Sequence, residues 1–427
     1  MAGLPDVQLI LRPGIVEMGW GHPDPALLPV DDIARAVELA LGRDGPAALA
    51  YGAEQGPGRL IEPLAAWLAR REGSALPPEQ LFVTGGVSQG LDLLCTLLTR
   101  PGDAALVEAP SYHLAQRIFL DHGLRLTPVP ADQDGLRPDA LAAALAMLRR
   151  ERRKARFLYT VPTFGNPTGA TLSLQRRQAI LALAHEAGLT IIEDDVYRHL
   201  WYDAPPPPSL FSLAPAGRVI RLGSFSKLLA PGLRLGWLTG SPELVRRCAG
   251  SGLLDSGGGV SHFVAHGVAA YLDLGLLDSH VERLQATYRR RRAALLDALA
   301  RHLPAGCRWS APGGGFFLWL QLPAGCDSAA LLPAAERAGV AYVPGDRFFP
   351  GGGGERYLRL AFSLLSEEEL AEGARRLGNL LGEAYGVRAP DEGSEIAETF
   401  MPRSAPRGSP HDPGWAPGCG RGPRSAR

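Results

Sequence analysis

The feature that most constrains the fold of this 427-residue chain is the alternation of short apolar segments with helical patterns between about residues 58 and 270. The apolar segments predict strands over 81–85, 105–110, 125–129, 156–162, 190–195, 218–225 and 233–240. The stretches between several of them have helical periodicity, which predicts helices over 58–72, 88–99, 112–122, 138–150 and 173–187. Helices between strands cover both faces of a parallel sheet. The sequence therefore predicts an α/β protein with a mostly parallel seven-stranded sheet between helices.

Length and changes of pattern predict more than one domain. A chain of 427 residues exceeds what a single core usually covers. After about residue 276, a long arginine-rich helix precedes short strands, which is typical of a smaller α+β domain. We expect four parts: an N-terminal segment that contributes to the small domain, the large domain, the small C-terminal domain, and a disordered tail rich in Pro, Gly, Ser and Arg (1–48, 49–275, 276–386 and 387–427).

Charge and cysteine usage exclude several classes of protein. Lys+Arg and Asp+Glu both total 44, so no net charge favours nucleic acid or an anionic membrane. The five cysteines are widely spaced, contain no Cys-x-x-Cys pair and fit a reducing compartment. The N-terminus lacks the basic start of a signal peptide, and no apolar run approaches the roughly 18 residues of a membrane-spanning helix. We expect a cytoplasmic protein with neither a nucleic-acid nor a membrane partner.

Lysine is almost absent from the chain. It occurs only at Lys154, within a charge run on the surface, and at Lys227, within "LGSFSKLLAPGLRLGW". Neighbouring cations lower the proton affinity of an amine and make it nucleophilic, while hydroxyls and a guanidinium suit a phosphate. Lys227 is either a solvated surface lysine or the primary amine of a reaction site, flanked by Ser224, Ser226 and Arg234.

Three further polar stretches lie at the ends of predicted strands, where ligands of open α/β sheets bind. In "VTGGVSQG", the N–H groups of Val87 and Ser88 either bind a phosphate or form an ordinary capped glycine turn. Asn166 is either a functional amide or a routine turn residue. The acids of "EDD" (193–195) either begin a helix or include one that holds a cationic ring nitrogen.

Together these groups match one cofactor. An amine nucleophile, two phosphate-binding stretches, an acid for a ring nitrogen and an amide for a ring hydroxyl describe a site for pyridoxal 5'-phosphate. The amine would form an imine with the aldehyde of that cofactor, and the acid would keep the pyridine ring protonated.

Six motifs carry a family resemblance: "YGAEQG", "GNPTGA", "EDDVY", "SFSKLLAPGLRLGW", "PGGGFFLWL" and "YLRLAFS". Their order and spacing over about residues 14–380 resemble the class I/II pyridoxal-phosphate-dependent aminotransferases, especially the 2-aminoadipate/kynurenine/aromatic group. The resemblance implies a fold type I transferase, like aspartate aminotransferase. It also implies a homodimer with the active site at the subunit interface, and an amino acid and a 2-oxo acid as substrates.

The resemblance also implies roles for individual residues in binding the cofactor. Lys227 matches the Schiff-base lysine and proton shuttle, and Asp194 matches the acid on the pyridine nitrogen. Tyr197 and Asn166 match the donors to the ring hydroxyl, and Tyr112 matches the ring that stacks on the pyridine. The expected phosphate contacts are Val87, Ser88, Ser224, Ser226 and Arg234, with Tyr51 reaching in from the partner subunit.

For the substrate, the resemblance assigns the α-carboxylate to Arg359 and also makes Asn166 a substrate-binding residue. Gly21 matches the N-terminal loop that closes over the substrate, but here it is flanked by Trp20 and His22, where smaller or aliphatic residues are more usual. Both departures are expected to alter substrate choice.

Three functions are compatible with these residues. The resemblance favours ping-pong transfer of an amino group from an L-amino acid to a 2-oxo acid. A lyase or cyclase that uses the same cofactor would need the same residues. A non-catalytic sensor domain of a transcription regulator is disfavoured, because only about 50 residues precede the sheet domain and they carry the substrate loop. We expect no metal site, since His262 and His266 have no acidic third ligand nearby in the sequence.

Overall fold

The computed structural model describes residues 6–214, 217–257 and 259–385, so the predicted tail 387–427 lies outside the described residues. Within them, the α-helices are α1 Val30–Asp44, α2 Gly58–Glu72, α3 Val87–Leu98, α4 His113–Asp121, α5 Pro138–Arg150, α6 Leu174–Ala187, α7 Leu210–Leu213, α8 Phe225–Leu228, α9 Pro242–Ala249, α10 Gly252–Asp255, α11 His262–Asp273, α12 Leu276–His302, α13 Ser328–Arg337 and α14 Glu367–Tyr385. The helices predicted from the sequence are confirmed, with ends within about two residues.

The described strands are β1 Val16–Glu17, β2 Leu81–Thr84, β3 Ala104–Ala109, β4 Arg125–Asp132, β5 Gly135–Leu136, β6 Ala155–Thr160, β7 Thr190–Asp194, β8 Val219–Ser224, β9 Gly236–Thr239, β10 Arg308–Trp309, β11 Phe317–Gln321, β12 Val340–Ala341, β13 Val343–Pro344 and β14 Tyr357–Ala361. Short 3-10 turns cover Pro25–Leu27, Gly45–Leu49, Pro78–Gln80, Pro231–Leu233 and Gly345–Phe348.

The large sheet has the strand order β2-β9-β8-β7-β6-β3-β4-β5. Its centre, from β8 to β4, is parallel, and β9 runs antiparallel to both of its neighbours. All seven predicted strands are present. The eighth strand, β5, pairs antiparallel with the end of β4, where Ala131 lies opposite Leu136. At two residues, β5 is too short to have a detectable alternation of its own.

Both faces of this sheet are covered, which explains why its strands are apolar almost throughout. Every residue of β3 is buried. Successive residues of a strand point to opposite faces, so Val107 packs with α3, α4 and α9, whereas Leu106 packs with α5 and α6. Most residues of these strands are consequently apolar, and the carboxyl ends of the parallel strands form one edge of the sheet.

A second, four-stranded antiparallel sheet has the order β10-β11-β14-β13. In it, Arg359 of β14 lies opposite Trp319 of β11 and Val343 of β13. The N-terminal strand β1 pairs in parallel with β12, from Val16 opposite Val340. The segment that follows β1 is therefore fixed beside the sheet that carries Arg359.

Within the described residues, no helix is both long and apolar enough to span a membrane.

Candidate active site

Residues from three neighbouring parallel strands meet at the carboxyl edge of the large sheet. β6 leads to Asn166, β7 ends at Asp194, and β8 leads to Lys227. Because parallel strands point in one direction, residues that follow them share an edge. Arg359 of the second sheet reaches the same place and donates a hydrogen bond to Asn166. The structure thus brings together four residues that are dispersed in the sequence.

Lys227 lies on the single-turn helix α8, directly after β8. Its Nζ donates to the carbonyl oxygen of Gly21 at 3.0 Å and lies 5.6 Å from the centre of the Phe316 ring. Burial, followed by the positive charges of Arg359 and Arg234, lowers the pKa of Lys227 to about 8. A larger fraction of this amine is therefore neutral and nucleophilic near neutral pH than in an ordinary lysine.

Asp194 is buried at the end of β7 with one oxygen engaged and one unpartnered. Tyr159, on the neighbouring strand β6, donates to Oδ2 at 2.7 Å. Oδ1 has no hydrogen-bond partner within the part of the chain that the structure describes. Burial raises the pKa of Asp194 to about 6, against the lowering effect of the Tyr159 hydrogen bond. A buried carboxylate oxygen without a donor is unfavourable, so this site suits a ligand that carries a cationic N–H group.

Sequence reasoning missed Tyr159. Its one sequence signal is a hydroxyl-bearing ring within the otherwise apolar segment "RFLYTVP". The role of the residue follows only from the pairing of β6 with β7, which places Tyr159 opposite Ile192, two residues before Asp194.

Arg359 is buried, and its hydrogen bonds go to neutral groups. Nη1 donates to Oδ1 of Asn166 at 2.9 Å and Nη2 to the carbonyl oxygen of Gly19 at 2.8 Å, while Nε finds no hydrogen-bond partner in the described ranges. Its guanidinium carbon lies 4.1 Å from the ring centre of Phe317. Among the described residues, no carboxylate forms an ion pair with Arg359, and burial lowers its pKa to about 10. A buried, uncompensated guanidinium is a binding group for an anion.

Two tyrosines predicted for the site also lie in it. The Tyr197 ring contacts Phe316 and Phe317, with ring centres 5.3 and 5.8 Å away, and burial raises the pKa of its hydroxyl well above the usual range. Burial, with the charge of Asp194, raises the pKa of Tyr112 to about 12. Both hydroxyls therefore stay protonated at neutral pH and can donate hydrogen bonds.

Arg234 links the serines at the end of β8 and the start of α8 to the turn before α3. It donates from Nη2 to the Gly85 carbonyl oxygen at 3.1 Å and from Nη1 to Ser226 Oγ at 3.5 Å. Ser224 Oγ in turn accepts from the Ser226 amide at 3.0 Å. The two predicted phosphate-binding stretches are therefore contiguous in space.

The turn before α3 exposes backbone donors to the same place. Gly86 precedes the helix with φ at +94° and provides no side-chain cap, so the N–H groups of Val87 and Ser88 open the first turn. A Cβ at Gly86 would lie 2.9 Å from Nη2 of Arg234. Glycine is thus required here by both its backbone conformation and its close approach to a cation. Helix N–H groups with a guanidinium and two hydroxyls suit a phosphate.

Gly21 lies directly over the site. Its carbonyl accepts from Lys227, and a Cβ at this position would lie 2.4 Å from Cζ of Phe317. The rings of its neighbours Trp20 and His22 are 5.3 Å apart in an edge-to-face arrangement. Burial, with the charge of Lys227, lowers the pKa of His22, so we expect His22 to be neutral at pH 7.

Tyr51 is the predicted site residue that the structure does not bring to this group. Its side chain is 89% exposed, beside Gly257. No hydrogen bond or ring contact among the described residues joins it to Lys227, Asp194 or Arg359.

Behind Asp194 lies a layer of buried charges that sequence reasoning did not identify. Its neighbours Glu193 and Asp195 do not begin a helix, contrary to one interpretation of these acids, because a turn follows β7. Glu193 lies 3.5 Å from Arg177, and both side chains are fully buried. Asp195 lies 2.9 Å from Arg221, which also makes a bidentate ion pair with Glu72 at 2.7 Å. These pairs hold the strand end so that Asp194 faces the site.

The two histidines considered for a metal lie elsewhere. His262 and His266 have ring centres 4.4 Å apart, and His266 Nδ1 lies 2.8 Å from Oδ2 of Asp44. An acid is therefore near in space, but it is also paired with Arg43 and Arg59. The described residues contain no group of three or more His, Cys, Asp or Glu side chains that could hold a metal ion.

Comparison with known proteins identifies the family. Residues 15–377 match the family described as aminotransferase class I and II. The 2-aminoadipate transaminase of Thermus thermophilus is 38% identical over 88% of this chain and 92% of its own length. Aromatic-amino-acid aminotransferase 1 of Thermococcus litoralis is 34% identical over 88% of this chain and 90% of its own length.

The fold agrees with a solved structure. The α-aminoadipate aminotransferase LysN of Thermus thermophilus, crystallised with N-(5'-phosphopyridoxyl)-L-leucine, has a TM-score of 0.79 and 36% identity, covering 88% of this chain and 94% of that one. Both the sequence match and the shared fold extend over nearly all of the described residues. The chain therefore belongs to the class I and II aminotransferases.

Proposed function

We propose that this chain is a pyridoxal-phosphate-dependent aminotransferase in which Lys227 is the amine that binds the cofactor covalently. The observation that carries the proposal is the presence of two complementary groups in one site. The amine of Lys227 has a pKa lowered to about 8, and Asp194 presents a buried oxygen that lacks a donor. An amine nucleophile beside a carboxylate that requires a cationic N–H group fits an aldehyde on a pyridinium ring.

The remaining groups fit the rest of the cofactor. Arg234, Ser224, Ser226 and the N–H groups of Val87 and Ser88 would hold its phosphate. Tyr197 and Asn166 would donate to its ring hydroxyl, and Tyr112 would pack on the ring. In the solved Thermus relative, the bound molecule joins a pyridoxyl phosphate to an amino acid, which supports the same cofactor here.

When bound, the cofactor supplies the aldehyde that takes up the amino group and the ring that withdraws electrons from the substrate carbon. Nζ of Lys227 would accept the α-proton of the amino acid and carry it away from the α-carbon, a role that a lowered pKa favours. Asp194 is ionised above pH about 6. Its negative charge, supported by the Tyr159 hydrogen bond, stabilises positive charge on a ring nitrogen.

Arg359 would bind the α-carboxylate of the substrate. Its planar guanidinium donates two hydrogen bonds in parallel to a carboxylate. Nη1 is oriented by Asn166, and the rings of Phe317 and Phe348 pack against its faces, 4.1 and 5.2 Å from the guanidinium carbon. This arrangement fixes the position of the carboxylate, and hence of the α-carbon, relative to Lys227.

We infer that the enzyme is a homodimer in which Tyr51 serves the site of the partner subunit. Two observations support this. Tyr51 is exposed and separate from the site of its own chain. Apolar side chains nearby in the sequence and fold are also exposed, notably Leu49 at 67% and Leu253 at 63%. Exposed apolar groups of this kind mark interaction surfaces.

A cytoplasmic location is also proposed. Cys95, Cys248 and Cys307 are buried and form no disulfide with another described residue. Unpaired cysteines are usual in a reducing compartment.

The test of the proposed function is reduction of the purified enzyme with borohydride, followed by digestion and mass spectrometry. We expect the pyridoxyl label on the peptide that contains Lys227. A label at Lys154, or no bound chromophore in the isolated protein, would contradict the proposal.

A second measurement separates transamination from the lyase or cyclase reaction. In single turnover with one amino acid, transamination must leave pyridoxamine phosphate and an equimolar 2-oxo acid. An elimination would leave the cofactor in its aldehyde form. A panel that includes aromatic amino acids and 2-aminoadipate, the substrates named for the relatives, would identify the donor.

A further inference from the structure

The backbone loop 18–24 lies over the two groups that react with the substrate. The carbonyl oxygens of Gly19 and Gly21 accept hydrogen bonds from Arg359 and Lys227, at 2.8 and 3.0 Å. Gly21 is also in close contact with Phe317. The position of this loop therefore sets the space above Arg359 and Lys227, in which an amino acid must fit.

Both ends of the loop are tied to the segment where β14, the strand of Arg359, ends. At the start of the loop, the Ala361 amide donates to the carbonyl oxygen of Met18 at 2.7 Å. Nearer its end, the hydroxyl of Ser363 donates to the carbonyl oxygen of His22 at 2.8 Å, and Ser363 is fully buried. The loop thus follows the strand that carries the substrate-binding arginine.

The end of the loop is held by a charge pair. Arg291 of α12 donates from Nη2 to Oδ2 of Asp24 at 2.5 Å and from Nη1 to the carbonyl oxygen of Ser363 at 2.7 Å. Oδ1 of Asp24 accepts from the amide of Ala26 at 2.9 Å and caps the turn Pro25–Leu27. One guanidinium thereby joins the loop, the long helix and the segment after β14.

Stability alone gives little reason for this pair. The Arg291 side chain is 9% exposed and that of Asp24 17%. Removing two charges from water costs about as much as their attraction returns, so a buried ion pair contributes little to net stability but fixes geometry. One Nη atom of Arg291 binds Asp24 and the other binds Ser363. The guanidinium therefore fixes the position of Asp24 relative to Ser363.

We propose that Asp24 and Arg291 are positioning residues for substrate capture, which act by holding loop 18–24 over Arg359 and Lys227. The proposal rests on the proposed function of the site. It predicts that loss of the pair weakens binding of the amino acid, because the carbonyls of Gly19 and Gly21 are no longer fixed. Once the amino acid is bound, the chemistry depends on Lys227 and is unchanged.

The test uses Asp24→Asn in the full-length holoenzyme. Asparagine keeps the side-chain oxygen that caps the turn but removes the charge. The matched control is Asp203→Asn, because Asp203 pairs with Arg292, the next residue of α12, at 2.6 Å. Single-turnover rates are measured against amino-acid concentration. For Asp24→Asn we expect the apparent dissociation constant to rise about tenfold, the usual effect of losing one charged hydrogen bond, with a maximal rate within about twofold of wild type.

A double-mutant cycle with Arg291→Met examines whether the two residues act as one unit. We expect Asp24→Asn to have little further effect in the Arg291→Met background. Thermal unfolding of each variant identifies a loss of folding. Three outcomes would each overturn the proposal. The effects of the two substitutions could be additive, or the Asp24→Asn enzyme could be indistinguishable from the Asp203→Asn enzyme. The third is a fall in the maximal rate with an unchanged dissociation constant.

A readout that does not depend on activity separates this proposal from the proposed function. Trp20 lies in the loop, so its resonance in protein labelled with 5-fluorotryptophan, assigned with Trp20→Phe, reports on loop position. We expect this signal to shift or broaden in Asp24→Asn but not in Asp203→Asn. An unchanged signal would contradict the positioning role, whereas a wild-type enzyme that performs no half-reaction would contradict the proposed function instead.

Discussion

Nη1 of Arg359 donates to Oδ1 of Asn166 at 2.9 Å, and this bond joins two residues that are 193 positions apart in the chain. It links the antiparallel sheet that carries Arg359 to the carboxyl edge of the large sheet. The contact orients a guanidinium that forms no ion pair with a carboxylate of the described residues. The geometry of carboxylate binding therefore depends on both sheets.

The first prediction concerns the paired N–H donors of the Arg359 guanidinium. Arg359→Lys keeps a positive charge but loses the paired donors, so the apparent dissociation constant for the amino acid should rise by about 10- to 100-fold, with the cofactor still bound. Single-turnover titration measures the apparent dissociation constant, and cofactor absorbance measures whether the cofactor is still bound. Arg356→Lys is the control, because Arg356 lies just before the same strand and its guanidinium donates, among the described residues, to the carbonyl oxygen of Leu322. Equal effects of the two substitutions would contradict the assigned role.

The second prediction concerns Tyr159. Its hydrogen bond lowers the pKa of Asp194, so Tyr159→Phe should raise that pKa further and reduce the negative charge available to a ring nitrogen. We expect affinity for pyridoxal phosphate to fall by about tenfold or more, the effect of one hydrogen bond to a charged group. Equilibrium dialysis measures this affinity. Tyr202→Phe removes another buried hydroxyl, which donates to the Gly315 carbonyl. It should lower stability but leave cofactor affinity unchanged.

The third prediction concerns the amine of Lys227 after the cofactor has been removed. Only a neutral amine reacts with an acylating reagent, so the rate of acylation should rise with pH around a midpoint of about 8, instead of about 10.4 for an ordinary lysine. The experiment uses Lys154→Arg, in which Lys227 is the remaining lysine, and quantifies its acetylated peptide by mass spectrometry. Adding Arg359→Met should move the midpoint upward, because the charge of Arg359 lowers the pKa. A midpoint near 10.4 would contradict the burial of this amine.

The fourth prediction concerns Glu108, a buried residue of β3 that accepts from Thr160 Oγ1 at 2.7 Å and from the Val161 amide at 3.0 Å. Burial raises the pKa of Glu108 from its usual 4.5 to about 7. The folded state therefore holds this proton more strongly than the unfolded state. The resulting stabilisation is complete below pH 4.5 and is lost as the pH rises through 7, with a total of about 3 kcal/mol.

Denaturant unfolding at about pH 4.5 and about pH 8.5 tests this sign. Between these values, the wild type should lose about 3 kcal/mol more unfolding free energy than Glu108→Gln, which has no proton to release at this position. Glu62→Gln, at an exposed position on α2, should retain the wild-type difference. A Glu108→Gln profile parallel to the wild type would show that Glu108 is ionised throughout.

Much of the fold could be predicted because its signals are local. Alternation and apolar runs identified the seven strands and the helices between them, and the polar residues at strand ends identified Lys227, Asn166 and the acids around Asp194. The two-residue strand β5 and the direction of β9 could not be predicted, since neither has a periodicity of its own. Tyr159 was missed for a related reason: within a buried strand, a functional tyrosine and a core tyrosine look the same.

The sequence by itself determined which side chains are available for chemistry. A chain with two lysines offers few amines, and "SFSK" places one of them directly after a strand. Only the tertiary structure decided how these groups are used. Packing between distant segments leaves one oxygen of Asp194 without a partner in the described part of the chain. It also forms the hydrogen bonds of Arg291 to Asp24 and Ser363. The physical reason is that burial and long-range pairing set the pKa values and orientations of these groups, and both depend on how the sheets and helices pack.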